Sequence, residues 1–188
     1  MKLRPIHGWI LVALLMVGAV LLEPHAPTPG SLGPRAWFGP FSELCSAVQW
    51  IRFQRAELRG EEARALALAE SAIAFAPRDT NGWEILAHHL GLFLASRERE
   101  PDLERRRAFF AAALSTTRRG AEVATEPARL HWLRGMLLLA KADLDPKIHS
   151  EGEAGLLRDA ESAFSEARET GLEEALELER YARARANE

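Results

Sequence analysis

Small residues spaced seven apart limit what this chain can become. Ala65 and Ala72 are followed by Pro77 five positions on, in the run ALALAESAIAFAP, and Ala160 and Ala167 repeat the spacing around Phe164 in AESAFSEA. Seven residues make two turns of an α-helix, so each pair of alanines shares one face, where a neighbouring helix can come close. The run RAFFAAAL carries Phe110 and Ala113 in the later part of this pattern, with Arg106 where the first alanine would stand. After Pro40, breaks at Gly60, Pro77 to Gly82, Pro101, Gly120, Pro127, Asp143 to Gly155 and Gly171 leave about seven helix-length segments, none alternating with period 2. Ala, Leu, Glu and Arg are abundant and there is one tyrosine, Tyr181, a bias that favours helix. The expected fold class is all-α.

The segment after Pro77 sharpens that expectation. Trp83, Leu86, Ala87 and Leu90 stand as W-x2-L-A-x2-L. With the spaced alanines and the closing proline, these residues resemble the tetratricopeptide repeat family, whose 34-residue helix–turn–helix reads W-x2-L-G-x2-Y, A-x3-F and Pro. The resemblance implies an antiparallel helix-pair array over residues 41–188. Its first helices would be Glu43–Arg59, Thr80–Ser96 and Pro127–Ala142, and its second helices Glu61–Ala76, Pro101–Arg118 and Gly155–Thr170. Leu172–Ala186 would cap the array, and three pairs are enough to stack a continuous core. The first unit departs from the pattern at Arg52. The third holds Trp132 and Gly135 about one residue out of register, with a long loop around Asp143 to Gly155.

Upstream, Lys2 and Arg4 precede an apolar run, WILVALLMVGAVLL, from Trp9 to Leu22. A basic cap before such a run marks a cleavable signal peptide or a retained anchor. The run is short for a span, but its flank Pro24-His25-Ala26 fits a cleavage site poorly. The expectation is therefore a single transmembrane signal-anchor over 8–22, after a cytoplasmic N-terminus of residues 1–7. Residues 23–40, rich in Pro and Gly, would form an extended linker, with Trp37 and Phe38 covering the first helix of the domain. The positive-inside bias puts the body of the chain on the outer side of a plasma membrane, which in a bacterium is the periplasm.

Charge and motifs narrow the function. The chain carries −3 overall, and its first 22 residues hold two basic residues and no acid, so the remainder carries −5. Nucleic acid is a poor partner for such a domain, and the basic runs Arg105-Arg106-Arg107 and Arg118-Arg119 read as solvated faces. Cys45 is the single cysteine, which excludes an intrachain disulfide and points to a small buried hydrophobe. His88 and Glu84 stand i, i+4 and could form half of a metal site, but no spacing brings His131 or His149 to complete it. No nucleophile elbow, zinc-protease helix, haem-attachment motif, phosphate-binding loop or dinucleotide fingerprint is present. No catalytic residue, cofactor, metal or small-molecule substrate is expected.

The resemblance implies instead a concave face lined by the first helices, here Trp50, Gln54, Glu84, His88, Trp132 and Met136. Two tryptophans and a methionine suit an apolar peptide or helix. The expected function is a membrane-anchored, non-enzymatic protein–protein interaction module, a scaffold or accessory subunit of a membrane assembly. The alternative is a periplasmic chaperone-like or translocon-associated factor that binds exported chains.

Overall fold

The computed structural model describes residues 38–144 and 152–187, and every regular element among them is helical. A single 3-10 turn, Gly39–Phe41, leads into α1 (Ser42–Leu58) and α2 (Glu62–Phe75), which belong to a compact unit ending at Ala76. A second unit starts at Pro77. It contains α3 (Thr80–His88), α4 (Leu103–Val123), α5 (Pro127–Leu144), α6 (Glu153–Glu169) and α7 (Ala175–Ala186), with a π-helical turn at His89–Leu94 prolonging α3. The chain is all-α, and the helix limits fall within a few residues of the sequence expectation in most cases. The expected anchor over 8–22 and most of the expected linker lie outside the described residues. Among the described residues no helix is long and apolar enough to cross a membrane.

In the first unit α1 and α2 form an antiparallel hairpin closed at Gly60. The Glu61 N–H donates to the Ala56 carbonyl and the Gly60 N–H to that of Glu57, both at 2.9 Å. Gly60 has φ +71°, so a left-handed residue without a Cβ ends α1 and satisfies its last carbonyls. Gly171, φ +112°, ends α6 by the same pair of bonds, Leu172 to Ala167 and Gly171 to Arg168. Ala65, Ala69 and Ala72 are fully buried, and the Ser46 hydroxyl donates to the Ala72 carbonyl at 2.9 Å. Phe38 meets Phe75 edge to face, with ring centroids 5.3 Å apart. It therefore covers the second helix of this pair. Cys45 is only partly buried.

In the second unit each helix packs on the next, and α3 also touches α5. The turns before α3 and α5 are fastened together. Thr125 donates through its N–H and its hydroxyl to the Arg78 carbonyl, and the Glu126 N–H donates to the Thr80 hydroxyl. Asp79 and Asp102 cap α3 and α4 by accepting backbone N–H groups. Large buried side chains fill the interior, among them Phe110, Leu130, Leu133, Leu137, Leu156 and Phe164.

Besides the placement of Phe38 and the partial exposure of Cys45, three further sequence readings are corrected here. Gly120 does not break a helix, since α4 runs through it to Val123. A Cβ at Gly120 would lie 2.7 Å from the Trp83 ring and 2.9 Å from Leu130, so the glycine serves a close approach. The first helix of this unit is not one uniform helix to Ser96, because its end widens and the Ala95 N–H reaches the Leu90 carbonyl five residues back. The run Arg105-Arg106-Arg107 is not wholly a solvated face. Arg106 is buried because it shares the inward stripe of α4 with Phe110, Ala113, Thr117 and Gly120, at spacings of four, three, four and three.

Gly135 packs against Phe164, and a Cβ there would lie 2.6 Å from the ring. Overpacking of this kind costs roughly 1–3 kcal/mol, against a helix-propensity gain of about 1 kcal/mol. Gly135→Ala is expected to destabilise the fold by roughly 1 kcal/mol net in urea unfolding. Combining it with Phe164→Leu should cost less than the sum of the single changes; strict additivity would show that the ring does not set this contact.

Candidate partner-binding surface

The sequence-predicted surface residues fall in both compact units. On α1, Gln54 is exposed, and Trp50 is partly buried with its ring edge-on to Phe53, centroids 5.4 Å apart. The other four belong to the second unit. Glu84 and His88 lie on α3, and Trp132 and Met136 on α5.

Trp132 and Met136 sit one helical turn apart and are partly buried against the cluster built around Leu138, Leu156, Ala160 and Phe164. Part of each side chain therefore supports the core, and the remainder is accessible on α5. Ile85 and His88 on α3, and Leu92 in the π-helical turn that prolongs it, are exposed, and the flanking apolar residues had not been singled out. Their signal in the sequence is the spacing of three and four around His88.

The link between the two helices is Arg129. Its guanidinium reaches Glu84 at 2.6 Å, Glu126 and Asn81 at 3.2 Å each. Burial pushes the Glu84 carboxyl above its ordinary range, and the Arg129 charge beside it opposes that shift. Hydrogen bonding to Glu126 leads in raising the Arg129 guanidinium. Glu84 is thus committed to a guanidinium rather than to His88. Among the described residues no group of three or more His, Cys, Asp or Glu is placed to hold a metal, and His149 lies outside them.

The two histidines part company, as adjacent helical residues must. His89 is buried and stacks on Phe93 at 5.1 Å, while the Arg99 guanidinium covers the same ring at 4.2 Å. His131 bonds through Nδ1 to Glu166 at 2.8 Å, with Arg134 3.6 Å from the same carboxylate. These groups line an open cleft of about 300 Å³ with Arg118 and Glu122. Its acidic and basic side chains largely offset one another, so it presents neither a strong anion site nor a cation site.

Comparison with protein-family models, curated proteins and solved structures finds no match for this chain. The surface has to be interpreted from its own chemistry, which is apolar side chains at helical spacing beside a partly shielded ion pair.

Glu84 is held above its unfolded value, so the folded state binds its proton more tightly and this carboxyl costs stability as pH rises through its range. Without Arg129 the ionised form loses its main compensation. Arg129→Met is therefore expected to destabilise the second unit by about 1 kcal/mol near neutral pH and by less near pH 4. Urea unfolding at both pH values measures this; an equal deficit at the two would show that the pair does not carry it.

Proposed function

We propose that the chain is a membrane-tethered, tetratricopeptide-like interaction module that holds a protein partner against the α3–α5 face. The observation that carries this reading is the packing order of the second unit. First helices α3 and α5 touch each other as well as the second helix between them, the arrangement expected of stacked helix pairs. Burial of Trp83, Leu86, Ala87 and Leu90 supports the family reading, because these residues match the opening of the repeat. Ala65 with Ala72, and Ala160 with Ala167, are fully buried as closely approached small positions should be.

Glu84 and Arg129 tie α3 to α5, and the accessible side chains of the two helices are taken as one face. Ile85 and His88 from α3, Leu92 from the turn that prolongs it, and the accessible parts of Trp132 and Met136 from α5 then offer an apolar ligand two rows of contacts. The basic cap and apolar run at 2–22 support the tether and the outward orientation. With the anchor in one assembly and the array exposed beside it, the module serves as a scaffold or accessory subunit.

Affinity purification of the full chain in mild detergent tests this, with mass spectrometry of co-purifying proteins. A second chain in fixed stoichiometry is expected, and its recovery should fall at least about tenfold, or ~1.4 kcal/mol, with His88→Glu, a change at an exposed position. Trp132→Ala should also lower it. A lone monomer, or a partner indifferent to both changes, would overturn the reading.

A further inference from the structure

The outer face of α1 carries a feature that the α3–α5 face does not require. Leu44, Val48, Ile51, Arg55 and Leu58 follow one another at steps of four, three, four and three. At 3.6 residues per turn they fall within an arc of about 80°. The opposite face of α1, with Ser42, Ser46, Phe53 and Ala56, is buried. Along the outer stripe Leu44 is 62% exposed, Val48 46%, Ile51 51% and Leu58 88%. Single exposed apolar residues are ordinary, but four at seam spacing on one helix form a strip of the kind a second helix covers. Within the second unit, α5 shows the covered condition, packed by α4 and by α6. Within the first unit the described helix packed on α1 is α2.

The strip also has a charge. Arg55 lies in it, and Arg52 and Arg59 run along one flank, while the other flank holds Ala47 and Gln54. Arg52, Arg55, Arg59 and Arg64 line a cleft of about 170 Å³ with a single carboxylate, Glu61. Glu61 is 2.8 Å from Arg64 and 3.9 Å from Arg59, and Arg52 donates to Gln49. Four guanidinium groups against one carboxylate leave this cleft net positive. A second copy of the chain would bring the same arginines to the seam, where like charges repel. A bilayer surface favours a broad apolar face, and this strip is the narrow a/d type.

We propose that α1 docks one amphipathic helix from another protein, with leucine-type residues in its seam and glutamate or aspartate on the flank that meets Arg52, Arg55 and Arg59. The site is built from residues of the first unit and the α3–α5 face from residues of the second, so changes to either set test one surface without touching the other. Apolar residues of the incoming helix cover Leu44, Val48, Ile51 and Leu58, and its carboxylates neutralise the arginine edge. The acidic flank fixes which way the helix lies.

The test uses the full chain in phosphatidylcholine nanodiscs and two fluorescent four-heptad peptides, each with leucine at both seam positions. One carries glutamate at the flanking positions and the other lysine, so neither pairs with itself. The glutamate peptide should bind at least about tenfold more tightly than the lysine peptide. Ile51→Asp should abolish binding with helical content unchanged, since the residue is exposed, and Arg55→Glu, which leaves Arg52 and Arg59 in place, should narrow the preference severalfold. His88→Glu should leave both affinities as they are.

Equal affinities, or binding unaltered by the α1 changes, would overturn the proposal. So would displacement of the peptide by vesicles of equimolar phosphatidylcholine and phosphatidylserine, which assigns the face to a membrane. A dimer dissociated by Ile51→Asp would assign it to a second copy. Absence of binding, as when the chain's own first 37 residues cover the strip, would overturn it equally.

Discussion

The helices of this protein are held apart by little more than a methyl group, and the rest of the architecture depends on that spacing. Ala65, Ala69 and Ala72 in the first unit, and Ala87, Ala113, Ala160, Ala163, Ala167, Ala175 and Ala182 in the second, have no exposed surface. Gly91, Gly120 and Gly135 take the approach further, each leaving no room for a Cβ beside Leu137, Trp83 or Phe164. Close axes bring many atoms into dispersion contact and let ridges of one helix settle into grooves of the next. Each buried alanine contributes little transfer energy. Cohesion therefore comes from repetition of the contact and from a few large side chains, such as Phe110 and Phe164, seated where a neighbour is small.

Polar groups then fix the order of the helices. Glu179 lies at the centre of the buried face of α7, between Ala175 and Ala182. A carboxylate removed from water needs charged partners, and Glu179 has Arg168 at 3.1 Å and Arg183 at 2.8 Å. Arg183 also reaches Glu161 at 2.6 Å, so together with Arg168 it ties α7 to α6. Arg185 binds Asp143 at the end of α5 and Glu153 at the start of α6, clasping both ends of the loop between them. These bonds raise the Arg185 guanidinium still further above its ordinary value.

Helix positions were legible in the sequence where their limits are written locally, with Gly60 and Gly171 as stops, although the capping roles of Asp79 and Asp102 emerge only in the structure. Gly120 was not, because its role depends on Trp83, which is distant in sequence and close in space. Arg106 was misread for a related reason: three adjacent arginines look like a surface until the stripe Phe110, Ala113, Thr117 and Gly120 shows which one points inward. The candidate surface was legible in part. His88 and Trp132 could be placed on first helices, but Arg129, which commits Glu84 to an ion pair, sits at a position no repeat signature marks. The strip on α1 was present as a 4-3-4-3 spacing, and it stayed unread because only exposure separates such a strip from a core face.

Most of the titratable groups that converge in this structure are already occupied in holding helices together. Glu84 faces Arg129, His131 faces Glu166, and Glu179 faces two arginines. The features that the fold leaves uncommitted are of another kind: apolar side chains at helical spacing on α1 and α3, and a row of arginines along one edge. Each is matched by a helix of complementary pattern more naturally than by a small molecule, since the contacts extend along helix faces instead of converging on one point. Small-residue packing holds the interior behind these rows, and on α3 and α5 the Glu84–Arg129 ion pair ties the two helices together as well.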